Sequence, residues 1–206
     1  LTLVARDAAG NATSTSVSFT YVPRNFIGTS GRDRLVGNRL GNVLDALGGD
    51  DTILCGVGGR DTAKGGAGND RVDCVEPYAS ARAGRDTVNC GPGARDVALV
   101  DPFDTVVGCE RVTRVWTGGT RADRFRGTRA NDRFATRGGS DSVTCGGGVD
   151  RVDLGAGNDT VDCADSGTSR AQRASRDVVD CGAGSGDRAI VDRFDVVRRC
   201  EHVTRR

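Results

Sequence analysis

Aspartate returns at intervals of about nine residues through most of this chain, and glycine-rich sequence precedes it. The stretch GGAGNDRVDC, residues 65–74, and its near copy LGAGNDTVDC, residues 154–163, show the pattern at full strength. Carboxylates beside glycine turns make a hard, all-oxygen donor set. Glycine reaches left-handed backbone angles at little cost, so a glycine turn can aim bare carbonyl oxygens at one point. Hard cations such as calcium take six to eight such oxygens at about 2.3–2.6 Å. The second reactive residue type is cysteine. Eight cysteines are present, none in a C-x-x-C pair, and one histidine leaves little for a zinc site. Their even number in a polar, glycine-rich chain favours disulfides and an oxidising, extracellular setting.

These residues must be positioned by something other than a large core. The 206 residues are 36% hydrophobic and 4% aromatic, with 31 glycines and no methionine. Such a chain needs metal or disulfides to offset its entropy. A net charge of only +1 and regular placement of the charges argue for order rather than disorder. No apolar run approaches the roughly 18 residues of a membrane span, and no signal peptide is seen. Because the sequence starts in mid-pattern, it reads as the C-terminal part of a longer protein.

Residues 1–22 read as two alternating strands, about 1–6 and 14–21, around a Gly10-Asn11 turn. They resemble the last hairpin of a bacterial immunoglobulin-like domain, with 23–27 as a linker. The alternative is an amino-terminal cap on the downstream repeats. From Gly28 the nine-residue units run GTSGRDRLV, GNRLGNVLD, ALGGDDTIL, GVGGRDTAK and GGAGNDRVD. After CVEPYAS come ARAGRDTVN, GPGARDVAL and VDPFDTVV. The key positions are Asp33, Asn42, Asp51, Asp61, Asp70, Asp86, Asp96 and Asp104. A second series carries Asp123, Asp132, Asp141, Asp150, Asp159, Asp177, Asp187 and Asp195, interrupted at the same place and closed alike by CERVTR and CEHVTR. The organisation expected is therefore two tandem modules, 28–115 and 116–206.

The unit of glycine-rich turn, Asp, then an inward apolar residue resembles the repeats-in-toxin (RTX), or haemolysin-type, calcium-binding nonapeptide, and GGAGNDRVD matches it throughout. The resemblance implies an all-β fold, a right-handed parallel β-roll in which two units make one coil and calcium ions sit between successive turns on each edge. Without an ion, acids stacked about 4.8 Å apart repel. Alternate units then share an edge. The strongest implied site pairs Asp51 with Asp70, next Asp61 with Asp86, and Asp33 begins the series. In the second module the equivalents are Asp141 with Asp159 and Asp132 with Asp150. Carbonyls of Gly48, Gly49, Gly65, Gly66, Gly68, Gly155 and Gly157 are the implied backbone donors. Units such as GPGARDVAL and VDPFDTVV lack the paired glycines, and calcium is not expected there. The alternative for the acids is a metal-free ladder of Arg-Asp pairs, since Arg flanks the key acid repeatedly.

On such coils the cysteines close units three, five, six and eight of each module. Four cysteines allow three pairings per module, and the parity of the roll's edges selects Cys55–Cys74, Cys90–Cys109, Cys145–Cys163 and Cys181–Cys200. Each would close a loop of about 20 residues, contributing about 3 kcal/mol.

Catalysis is not expected. His202 has no nucleophile at a recognisable spacing, and no G-x-S-x-G, H-E-x-x-H or P-loop pattern occurs. Trp116 falls where the modules meet and reads as a cap on a roll end. Asn11-Ala12-Thr13 fits a glycosylation acceptor and equally a turn. The arginines are interleaved with acids, which argues against a nucleic-acid-binding stripe. The expected function is calcium binding by a secreted or surface-attached module. The alternatives are an extracellular stalk or adhesion module with incidental calcium, and the accessory region of a secreted hydrolase.

Overall fold

The computed structural model describes residues 23–76, 84–165 and 175–206, together with the backbone of two strands at 2–6 and 12–16. Those two, β1 (Thr2–Arg6) and β2 (Ala12–Ser16), pair antiparallel with Thr2 opposite Ser16. The second strand thus begins two residues earlier than the alternation suggests, with Ala12 opposite Arg6. The Asn11 part of the glycosylation motif and residues 17–22 lie outside the described residues.

Everything described from Asn25 onward is a parallel β-solenoid of about nine turns, without helix among the described residues. One sheet runs its whole length. It consists of β4 (Arg34–Val36), β6 (Thr52–Leu54), β8 (Arg71–Cys74), β10 (Val97–Val100), β12 (Arg111–Thr117), β14 (Asp132–Ala135), β16 (Arg151–Asp153), β18 (Val178–Asp180) and β20 (Val196–Arg198). Two five-stranded sheets face it. The first holds β3 (Asn25–Ile27), β5 (Val43–Asp45), β7 (Thr62–Lys64), β9 (Thr87–Asn89) and β11 (Thr105–Val107). The second holds β13 (Arg124–Arg126), β15 (Ser142–Thr144), β17 (Thr160–Asp162), β19 (Arg188–Val191) and β21 (His202–Arg205).

Strands this short follow from the sequence. Each unit supplies one x-U-x triplet, so only one or two side chains per strand point inward before glycine turns the chain. Stacked in register, these side chains form the core: Leu35, Ile53, Val72, Ala98 and Val112 on the long sheet, Phe26, Leu44, Ala63, Val88 and Val106 opposite. A second cluster repeats this with Phe134, Val152, Val179 and Val197 against Phe125, Val143, Val161 and Ala189. A buried Val contributes about 1.5–3 kcal/mol. With so few per coil, covalent cross-links matter. The disulfides Cys55–Cys74, Cys90–Cys109, Cys145–Cys163 and Cys181–Cys200 each tie neighbouring coils of one sheet, with Cα separations of 4.8, 5.2, 4.8 and 5.1 Å. These are the pairs that edge parity selects.

The two series meet within β12. Its first half, Arg111–Arg114, pairs with β10, and its second half, Arg114–Thr117, pairs with β14. Because this is a ninth strand after eight units, the second series is offset by half a coil. Odd units of the first series lie on the long sheet, and even units of the second lie there. Trp116 opens the second core, with its ring 5.6 Å from Phe125 and 5.9 Å from Phe134.

Candidate metal centre

The key acid of each unit sits at a corner, at or just before the first residue of its strand, where the alternation turns its side chain inward. Asp51, Asp61, Asp70, Asp86, Asp132, Asp141, Asp150 and Asp159 are all 2% exposed or less, whereas Asp33 in the first coil is half-buried. One carboxylate oxygen of each inner acid accepts the N–H of the key residue one coil earlier. On one edge Asp33 N–H donates to Asp51 at 2.7 Å, Asp51 N–H to Asp70 at 2.9 Å, and Asp70 N–H to Asp96 at 2.7 Å. On the opposite edge Asn42 N–H donates to Asp61 at 2.7 Å, and Asp61 N–H to Asp86 at 2.8 Å. The second series repeats the arrangement from Asp123 to Asp141 and Asp159, and from Asp132 to Asp150 and Asp177. The four acid pairs expected to share sites therefore stack on neighbouring coils.

The other oxygen is the informative one. Asp51 Oδ2, Asp70 Oδ2, Asp141 Oδ2, Asp150 Oδ2, Asp159 Oδ2 and Asp132 Oδ1 are buried without a hydrogen-bond partner. An ionised oxygen left so is costly. Desolvation accordingly pushes the carboxyls upward despite the N–H bonds: Asp61 to about 6, Asp86 to about 7 and Asp150 to about 8, with neighbouring carboxylates adding to the shift. Asp51, Asp70, Asp132 and Asp159 are raised in the same direction, burial again being the largest cause.

Arg32 and Arg114 oppose the upward shift of Asp51 and Asp132, but burial outweighs them. Arg32–Asp50, Lys64–Asp45, Arg71–Asp73 and Arg199–Asp180 form ion pairs away from the key positions. These pairs do not make a ladder along the key positions. Glycine does shape the corners. A Cβ on Gly65 would lie 2.3 Å from Asp70 Oδ2, and one on Gly68, where φ is +140°, would lie 1.9 Å from Gly49 O. Gly49, Gly66, Gly155 and Gly157 also have positive φ, while Gly48 and Gly65 do not. The Gly155 carbonyl accepts the Ala183 N–H at 2.6 Å.

Bare carboxylate oxygens and glycine main chain form an oxygen-only donor set, which fits calcium. One trio of possible Cys, His, Asp or Glu ligand atoms lies within 4.8 Å of one another among the described residues, Cys55, Cys74 and Asp86. Its two sulfurs are bonded to each other, so it is not a metal site. A cation at the corners must draw on carbonyls as well as carboxylates.

Four stretches of the chain, residues 27–58, 56–73, 117–148 and 126–161, match the RTX calcium-binding nonapeptide repeat. Within those stretches the glycine corners are similar to RTX repeats. These matches cover the coils keyed by Asp33 to Asp70 and by Asp123 to Asp159, and they stop before both interruptions. No curated protein matches the chain.

Several residues outside the RTX matches belong to the same ladders. Glu110 and Glu201 end them, accepting the N–H groups of Asp96 at 2.7 Å and Asp187 at 2.9 Å. Arg114 Nη1 donates to the carbonyls of Asp101 at 3.1 Å and of Pro102 and Asp104 at 3.5 Å, and Arg205 does the same for Asp192 and Asp195. The signal for them is the duplication itself, since CERVTR and CEHVTR repeat Glu and Arg at matching places.

Proposed function

We propose that this chain is a non-enzymatic calcium-binding module of a secreted or surface-attached protein, folded by calcium and disulfides together. The observation that carries the reading is the row of buried, unpartnered carboxylate oxygens at the RTX corners. Bound calcium would supply the positive charge those oxygens lack. Asp51 with Asp70, Asp61 with Asp86, Asp141 with Asp159 and Asp132 with Asp150 would hold it, helped by carbonyls of Gly48, Gly49, Gly65, Gly66, Gly68, Gly155 and Gly157. The disulfides fit an oxidising exterior, where millimolar calcium would stiffen a roll left soft inside the cell. The hairpin β1–β2 would close an immunoglobulin-like domain, and 28–115 and 116–206 would be two roll modules sharing β12.

A second reading rests on the four inter-coil disulfides. They cross-link each module without any ion, as a stalk with incidental calcium would require. Calcium calorimetry with far-ultraviolet circular dichroism, on oxidised and reduced protein, separates the two. The first reading expects saturable binding and a gain of β signal on the reduced chain. A β spectrum indifferent to calcium and chelator, with no binding heat up to millimolar ion, leaves the stalk.

A further inference from the structure

The two series join at a cation. Arg114 lies in the middle of β12, where the pairing changes from β10 to β14, and its register partners are Val100 on one side and Asp132 on the other. Its half-buried guanidinium is turned onto the first series. Nη1 donates to the carbonyls of Asp101 at 3.1 Å and of Pro102 and Asp104 at 3.5 Å, so main-chain oxygens of the closing turn DPFD share one donor atom. Around that turn Glu76, Asp86, Asp101 and Asp104 are buried, and Asp101 Oδ2 accepts the Glu76 N–H at 3.0 Å. The positive charge therefore sits among acids that lie outside the RTX matches.

On its other side Asp132 is the first acid of a ladder on the long sheet. Asp132 N–H donates to Asp150 at 2.7 Å and Asp150 N–H to Asp177 at 2.8 Å, whereas the place one coil before Asp132 is held by Arg114 rather than by an acid. Thr128 donates twice to Asp132 Oδ2, but Oδ1 is buried without a hydrogen-bond partner. Arg114 acts on this carboxylate through charge. Burial raises Asp104 and Asp132, and Arg114 opposes the rise in both, one acid in each series. Two other arginines show what is particular to this one. Arg205 donates to the carbonyls of Asp192 at 2.9 Å and Asp195 at 3.3 Å, but β21 is the last strand of its sheet and offers it no second neighbour there. Arg24 directly precedes β3, and since Asn25 faces Val43, the same register sets it opposite Asn42, a neutral amide.

We infer that Arg114 is a resident cation of the junction: it holds the closing turn of the first series through carbonyls and gives Asp132 part of the positive charge that calcium would bring. The inference rests on the calcium-binding reading above and sets an order among its sites. A guanidinium one strand away, about 5 Å across the ladder, opposes a divalent ion by on the order of tenfold in affinity. The Asp132–Asp150 corner is thus a weaker calcium site than the Asp51–Asp70 and Asp141–Asp159 corners. The same charge links the two series, because what loosens Arg114 from the turn also changes the field at Asp132.

The test titrates calcium into the full, oxidised chain and follows the fluorescence of Trp116, the single tryptophan, whose ring lies 5.9 Å from Phe134 on the strand that begins with Asp132. Loss of a transition in Asp150→Asn assigns it to that corner. Arg114→Gln, checked for its β spectrum, should tighten this transition about tenfold while lowering the unfolding midpoint in chelator. Arg114→Lys, which keeps the charge, should stay within about twofold of the unmutated affinity. Arg205→Gln should lower the midpoint and leave the affinity alone. An affinity that Arg114→Gln leaves unchanged or weakens overturns the inference and makes the arginine a brace of the turn only. Calorimetry that finds no calcium on the unmutated chain overturns the function proposed above, and the inference falls with it. Should Arg114→Gln fail to fold, or Trp116 report no transition, anomalous diffraction from crystals of the unmutated chain soaked in graded terbium decides. The Asp132–Asp150 corner should fill after the other two, and filling with them or before them sinks the inference.

Discussion

The opening coil of each module and the coils that succeed it place the same acid at the same corner, yet treat its second oxygen differently. In the opening coil the chain closes on itself. Asp33 Oδ2 accepts both the N–H of Thr29 at 2.6 Å and its hydroxyl at 2.9 Å, and Asp132 Oδ2 takes the same pair from Thr128 at 2.6 and 2.9 Å. Asn42 and Asp123 accept from Asn38 N–H and Gly119 N–H in the same way. In the inner coils the residue four places earlier is Leu47 or Gly66, and Asp51 Oδ2 and Asp70 Oδ2 stay bare. Threonine at that place gives one oxygen of its acid two donors, whereas Leu47 and Gly66 leave Asp51 Oδ2 and Asp70 Oδ2 with none. The difference suggests a division of labour: a first coil, keyed by Asp33 and Asn42, that forms without an ion, and coils with bare corner oxygens that wait for one.

The largest effect should come from closing a glycine turn by force. Gly68→Ala puts a methyl 1.9 Å from Gly49 O at a φ of +140°, and should cost about 3 kcal/mol or more in thermal unfolding. Gly31→Ala, in the opening coil, meets nothing nearer than Thr29 Oγ1 at 3.8 Å and should stay within about 0.5 kcal/mol. Equal losses would erase the contrast between the two kinds of turn.

Next in size is the ion itself. Asp51→Asn with Asp70→Asn should weaken calcium binding at that edge on the order of 100-fold, about 2.7 kcal/mol, by calorimetry. Asp33→Asn, whose Oδ2 is already held by Thr29, should change affinity by about twofold at most. An Asp33 effect as large as the inner pair's would mean that the opening coil binds calcium too.

Much of this contrast can be read in the chain beforehand, but not all. The inward Val72 and Val161, the corner acids and the cysteine pairing follow from a nine-residue period once two units make a coil. The satisfaction of individual oxygens does not, because alignment on Asp treats GTSGRD and GGAGND as variants of one turn. Of the three positions at which they differ, the one four residues before the acid supplies Asp33 Oδ2 with its two donors. The half-coil offset is hidden for another reason: Arg111–Thr117 reads as a closing sequence and then a boundary, and only pairing shows it to be one strand joining the two series. Asp101 and Glu76 stand out only once the coils are stacked, because they lie off the period, in segments where the repeat degenerates.

A smaller effect is expected from pH when chelator removes the ion. Asp101 and Asp177 are raised to about 7 and Asp150 to about 8, chiefly by desolvation. Between the ordinary carboxylate range and those values the fold holds protons that the unfolded chain has released. Stability in chelator should therefore fall as pH rises from about 4 to about 8, read as a falling unfolding midpoint. Calcium should remove the loss, since ion and proton compete for the same oxygens. Asp150→Asn should flatten the slope in chelator, and a slope of opposite sign would show that these acids are ionised in the metal-free fold.

The least effect should come from the hydroxyl that closes the opening turn. Thr128→Val removes two hydrogen bonds, from Oγ1 to Asp132 and from Ala130 N–H to Oγ1 at 3.1 Å, but leaves the Thr128 N–H in place. The expected loss is about 1 kcal/mol in chelator. If local closure lessens the need of Asp132 for an ion, the variant should also recover part of that loss when calcium is added. Asp132 Oδ2 would then have lost one of its two donors while Oδ1 has none, and a cation could stand in for the missing hydroxyl. Thr128→Ser restores the hydroxyl and should restore stability without calcium. A loss in Thr128→Val that calcium leaves untouched would mean that the threonine stabilises the turn alone and does not decide which acids are left for an ion.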